Sequence, residues 1–178
     1  MALPRNIVSA VPLPRECSVI DHYPRTDLAD AYSIELPPGV SQSPEELARF
    51  MFAHAPGWSR ALMGLRDLLV AGLGLKTVAQ LTATTPEQAA QRIAFFKVYS
   101  RRAGEIVLGE DDRHLDFRLS LLCPPAPRGR RLTVSTVVHC HNRLGRGYLF
   151  VIAPFHRLIV RAYLRRAARV GWPGATPG

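Results

Sequence analysis

The feature that most constrains this chain is a change in the period of its apolar residues. From Phe95 to His141 apolar and polar residues alternate, whereas from Leu144 onward apolar residues recur every three or four positions. A period of two belongs to a strand with one buried face, and a period of 3.6 to a helix with one buried side. The alternating stretch divides into strands expected at residues 95–101, 105–109, 113–122 and 132–141, separated by Arg102-Ala103-Gly104, Gly109-Glu110-Asp111-Asp112 and a proline-rich run over 123–131. Loops this short join only antiparallel neighbours. The helical stretch that follows places Leu144, Tyr148, Val151, Ile152, Phe155, Ile159 and Ala162 along one side. Pro154 lies inside it without an amide donor, which predicts a kink or a local break one turn earlier.

Upstream, Leu28, Ala31, Tyr32, Ile34 and Leu36 predict a first strand within residues 26–36, stopped by Pro37-Pro38-Gly39. Ser43-Pro44-Glu45-Glu46 matches a capping box, and the apolar face of Leu47, Phe50 and Met51 continues it as a helix. A second helix is expected from Trp58 to Leu73, and Thr85-Pro86-Glu87-Gln88 suggests a short third one between Thr77 and Ile93. The order of elements is strand, two helices, antiparallel meander and long terminal helix, an α+β chain. At 178 residues it is long enough for one domain, expected at 26–170. Residues 1–25 read as an irregular leader that lies on or wraps that domain, and 171–178 as a flexible tail.

The longest stretch free of Asp, Glu, Lys and Arg is eleven residues, Leu132 to Asn142, well short of the ~18–20 apolar residues of a membrane span. With no secretory leader legible either, the expected compartment is the cytoplasm. Cys17, Cys123 and Cys140 lack CxxC spacing and read as free thiols. The net charge of +9 is concentrated, because residues 117–178 carry eleven Arg and no acid. Arg157, Arg161, Arg165 and Arg169, four apart, form a stripe whose repulsion needs a counter-charge, and Glu110, Asp111 and Asp112 are available partners. No aromatic side chains interleave the arginines, which disfavours single-stranded nucleic acid.

Two strands carry the polar residues of most chemical interest. Matching the apolar faces of 113–122 and 132–141 sets Asp116 opposite His139 and His114 opposite His141, since a one-residue slip would turn every side chain of one strand over. That register gathers His114, Asp116, Arg118, His139 and His141 on one face. Three readings compete: a solvated outer face, a polar patch inside a ligand cavity, and a metal site built on the His139/His141 pair. No phosphate-binding glycine loop, HExxH or GxSxG accompanies them, so neither cofactor nor metal is expected.

The blocks Asp30-Ala31-Tyr32, Ala55-Pro56-Gly57-Trp58, Gly109 to Arg118, His141 to Arg146 and Pro154 to Val160 resemble, in order and spacing, the bacterial domain-of-unknown-function family 2867. Through the element order the chain also resembles the START-like, helix-grip superfamily of polyketide cyclases, pollen allergens and lipid-transfer domains. The resemblance implies an antiparallel sheet wrapped around the long C-terminal helix, with a mostly apolar cavity between them, and a small apolar molecule or lipid as partner. The residues expected at such a cavity are Trp58, Phe96, His114, Asp116, Phe117, Arg118, His141 and Phe155. A binder that does no chemistry is the leading expectation. The alternatives are a cyclase- or hydratase-like enzyme, with His114 or His141 as acid/base, Asp116 orienting it and Arg118 holding a carbonyl oxygen, and a basic module for anionic lipid or nucleic acid. Nothing in the sequence sets an oligomeric state.

Overall fold

The computed structural model describes residues 7–59, 61, 91–125 and 130–174. Seven strands, β1 (Ser9–Val11), β2 (Leu28–Glu35), β3 (Arg92–Ile93), β4 (Phe96–Arg102), β5 (Glu105–Asp111), β6 (Leu115–Leu122) and β7 (Arg131–Cys140), form one antiparallel sheet in the order β1-β2-β7-β6-β5-β4-β3. Two helices, α1 (Pro44–Ala53) and α2 (Arg143–Val170), are described. This is the expected α+β architecture, an open antiparallel sheet with a long C-terminal helix. The expected helix from Trp58 to Leu73 lies outside the described residues apart from its start, and the short helix between Thr77 and Ile93 does so up to residue 90.

The meander forms as its alternation predicts, except that β5 runs on through Gly109, Glu110 and Asp111 of the turn expected before β6. Strand β6 meets β7 with Asp116 opposite His139 and Leu121 opposite Val134, and the ladder continues as the His141 N–H donates to the His114 carbonyl at 2.9 Å. One face of the sheet therefore presents Tyr32, Ile34, Ile106, Leu108, Leu119, Leu121, Leu132 and Val134 to the helices, where they pack with Leu47, Met51, Tyr163 and Leu164. Strands β1 and β3 are too short to show a period, and only pairing with β2 and β4 defines them. In β4 the register shifts between Val98 and Ser100, a bulge that puts Tyr99 out of step with its ladder.

At the start of α1 the Ser43 hydroxyl accepts the Glu46 N–H at 3.4 Å. Glu46 does not return the bond to Ser43. Its carboxylate takes the hydroxyl of Ser41, and the Ser43 N–H donates to that same Ser41 oxygen at 3.2 Å, so the capping box closes through one extra serine. Asn142 caps α2 by accepting the Gly145 N–H at 2.9 Å. Its 28 residues span about 42 Å. Of the expected kink or local break, the break does not occur: the helix is unbroken at Pro154. Phe150 and Pro154 are both exposed, so the carbonyl that loses its donor lies on the solvent side, where it is open to hydration.

The leader does more than drape. After β1, Cys17 and Val19 bury themselves against Val107 and Val137 on the face of the sheet turned away from the helices, forming a second small core flanked by Leu13 and Tyr23. Past α2, Trp172 is 3 % exposed and contacts Phe50, so the main core extends beyond residue 170.

Two glycines in one turn of α2 test how it is seated. A Cβ at Gly145 would collide with the His114 carbonyl, while one at Gly147 meets nothing within 4 Å. Gly145→Ala is expected to destabilise by about 1–3 kcal/mol, and Gly147→Ala to stabilise by up to about 1 kcal/mol through helix propensity. Thermal denaturation checks the pair, with melting temperatures moving in opposite directions.

Candidate functional site

Between the sheet and α2 lies a cavity of about 210 Å³. Its sheet wall comprises Val134, Thr136 and Val138 of β7, Phe117 and Leu119 of β6, and Phe96 of β4. These are same-parity positions on each strand, which is why they share a face. The helix wall is the series Tyr148, Ile152, His156, Ile159 and Tyr163, one side of α2, and Met51 and Phe52 of α1 close one end.

Few polar groups interrupt this lining. His156 Nε2 lies 3.1 Å from Thr136 Oγ1 and 3.5 Å from Asp30 Oδ1. Asp30, across the ladder from Thr136, also faces Arg157 Nε at 3.7 Å. Both of its carboxylate oxygens are buried without a hydrogen bond in the described structure. Asp30 itself is not part of the lining, whereas Glu110 and Asp112 are, and Glu110 meets Arg92 at 3.3 Å and Lys97 at 3.6 Å. The arrangement supplies an apolar compartment with an imidazole and a hydroxyl at its wall, either of which can give or accept one hydrogen bond.

Of the residues expected at a cavity, Phe96 and Phe117 line this one. The structure places the other six elsewhere. Asp116 and Arg118 have the opposite parity from Phe117 and turn to the far face of the sheet. There Asp116 meets His141 Nε2 at 3.0 Å, and His114 Nδ1 lies 2.9 Å from the side-chain amide of Asn142. Trp58 and Phe155 are 43 % and 44 % exposed. The far face is not open solvent either, because the leader covers part of it. Arg118 is 6 % exposed, pairs with Asp111 at 2.7 Å and stacks over Tyr99 at 3.7 Å, with Tyr23 of the leader 5.8 Å away. Burial pushes the Asp111 carboxyl up, but bonds from Arg118 and Tyr99 outweigh it and hold the group below its usual range. His139 stacks on Tyr23, and its Nδ1 is 2.7 Å from the Arg25 carbonyl. The polar constellation thus divides into anchors for the leader and a pair at the start of α2. Among the described residues no group of three His, Cys, Asp or Glu side chains is placed to hold a metal.

Sequence reasoning missed Asp30, Thr136 and His156. The available signal was a polar residue on an otherwise apolar face in three elements: Asp30 between Leu28 and Tyr32, Thr136 between Val134 and Val138, and His156 between Ile152 and Ile159. The acids thought available to the α2 arginines pair elsewhere as well, Glu110 with Arg92 and Lys97 and Asp111 with Arg118.

A family model described as "Protein of unknown function (DUF2867)" matches residues 22–163, most of the chain. The chain belongs to the DUF2867 family. The matched span of this DUF2867 chain takes in β2 to β7 and α2 as far as Tyr163, so it contains the whole cavity wall and leaves β1, Cys17 and Val19 outside. Searches of curated proteins and of solved structures return no match. Among the described residues no helix is long and apolar enough to cross a membrane.

Two aspartates with largely buried side chains, Asp27 and Asp30, separate a closely partnered carboxylate from one that lies behind a cavity-wall histidine. Asp27 accepts the Cys140 N–H at 2.8 Å and pairs with Arg25 at 2.8 Å. Burial pushes its carboxyl up, yet these partners hold it below its ordinary value of 3.8. Its contribution is therefore present above that value and lost as pH falls through the lower folded one. Asp27→Asn is expected to cost about 1–2 kcal/mol at neutral pH, a gap that closes in strong acid. Asp30→Asn removes a buried charge that lacks hydrogen bonds, and leaves stability unchanged or raised. Urea titrations of both variants at neutral and acid pH read the difference.

Proposed function

We propose that this protein binds a small, mostly apolar molecule in the cavity between the sheet and α2, with one hydrogen-bonding group of that molecule directed to His156 and Thr136. The observation that carries the reading is the cavity itself. An apolar lining with a few convergent polar groups is the usual form of a small-molecule site, whereas protein interiors are otherwise close-packed. Size narrows the ligand. A cavity of about 150 Å³ accepts benzene, so 210 Å³ fits on the order of eight to ten non-hydrogen atoms, an aromatic ring or short branched chain with one polar substituent.

Chemistry through His114 or His141, Asp116 and Arg118 gains no support from this cavity, since none of them lines it. Nor does the family description assign a reaction.

Native mass spectrometry of freshly purified protein, followed by organic extraction, is expected to detect a stoichiometric small molecule, or stoichiometric uptake of added para-cresol by emptied protein. Ile152→Trp fills the cavity from the helix side and is expected to abolish that uptake while the fold is retained by circular dichroism. Absence of any bound molecule together with no uptake of para-cresol, or undiminished uptake by Ile152→Trp, would overturn the reading.

A further inference from the structure

The half of α2 that covers the cavity carries apolar side chains on its outer surface as well. Leu144, Phe150, Val151, Phe155 and Leu158 are 43 %, 83 %, 52 %, 44 % and 53 % exposed. Four of them, Leu144, Val151, Phe155 and Leu158, are spaced by seven, four and three residues and so form one line along the helix. Continuing that line by further steps of four and three leads through Ala162 to Arg165 and Arg169. All seven charged side chains of α2 are arginines. Arg157 and Arg146 lie 3.7 Å from Asp30 and Asp27, and Arg161 lies over Tyr32. Arg165, Arg166 and Arg169 are exposed and have no acidic partner among the described residues.

We propose that this outer surface of α2 docks on an anionic lipid bilayer, with Val151, Phe155 and Leu158 entering the acyl boundary and Arg165, Arg166 and Arg169 meeting the headgroup phosphates. Apolar side chains exposed in line with unpaired arginines and without an intervening acid are the composition of a helix that lies in a membrane interface. Each arginine near such a surface adds attraction to anionic lipid. A nucleic acid satisfies the arginines but leaves the apolar line in water. A second copy satisfies the apolar line but not the charges: parallel pairing sets Arg165 and Arg169 against their equivalents, and antiparallel pairing buries them against Leu144 and Val151 without a counter-ion. Only the bilayer accommodates both halves of the line. Docking of this kind would also bring the helix that walls the cavity into contact with lipid.

Vesicle co-sedimentation tests the proposal with the full chain. Wild type is expected to sediment with phosphatidylcholine vesicles containing about 30 % phosphatidylglycerol and to stay in solution with pure phosphatidylcholine, the bound fraction falling as salt rises. Arg165→Gln/Arg169→Gln is expected to weaken binding by about thirty-fold, and Val151→Asp/Leu158→Asp to abolish it. Because these side chains are exposed, circular dichroism of both variants should match wild type. Should either variant misfold, Leu158→Trp serves instead, its emission shifting to the blue on addition of anionic vesicles. The proposal is overturned if wild type ignores anionic vesicles, if it binds duplex DNA in place of vesicles, if both double variants bind as wild type does, if a dimer in solution covers the stripe, or if the Leu158→Trp emission is unmoved.

Discussion

The pairing of β6 with β7 is the constraint on which the rest of the structure depends. With Asp116 opposite His139 and Phe117 opposite Val138, every odd position of β6 and every even position of β7 faces the helices. A slip of one residue in either strand would exchange a cavity wall for an ion-paired surface. The same ladder seats α2, because the His114 carbonyl at its end both accepts the His141 N–H and fills the space that a side chain at Gly145 would need. From that point α2 runs over the apolar face, and in its last turns Val160, Tyr163, Leu164 and Ala167 are buried in the core.

Buried charged groups differ in how closely they are partnered. On the face away from the helices, Glu105 and Arg118 have close partners, although Arg118 Nε and Ser135 Oγ lack a hydrogen bond among the described residues. Glu105, 5 % exposed, accepts the Ser18 N–H at 2.9 Å and the Ser120 hydroxyl at 2.6 Å, and Arg118 has Asp111. Removing one partner from such a set leaves an uncompensated buried group, which costs more than the intact pair contributes. The leader is therefore bound in place by hydrogen bonds and by the small Cys17, Val19, Val107 and Val137 core together. On the helix side Asp30 is held only by longer contacts to His156 and Arg157.

What the sequence made legible follows from period. The alternation of 113–122 and 132–141 was long enough to define both faces, so the strands, their antiparallel sense and their register could all be read. The capping residue Ser43 marks a true helix start. Strands β1 and β3 could not be read, because three and two residues carry no period and exist through main-chain bonds to a neighbour. The cavity residues were legible only in part. Phe96 and Phe117 stand out as large apolar side chains on the correct parity, but the most conspicuous polar cluster belongs to the opposite face. There some of its partners, Tyr23 and the Arg25 carbonyl, come from the leader, a segment whose prolines hide its packing. Asp30, Thr136 and His156 are single interruptions in three apolar patterns far apart in sequence, and only the fold brings them to one point.

The central claim is that the compartment used for binding lies on the helix side of the sheet, and methyl-resolved NMR tests it most directly. With para-cresol added to methyl-labelled protein, intermolecular contacts are predicted between the aromatic protons and the methyl groups of Leu119, Val134 and Ile152, with none to Val107 or Val137 on the opposite face. Contacts confined to Val107 and Val137, or none to any methyl group at saturating para-cresol, would contradict the account.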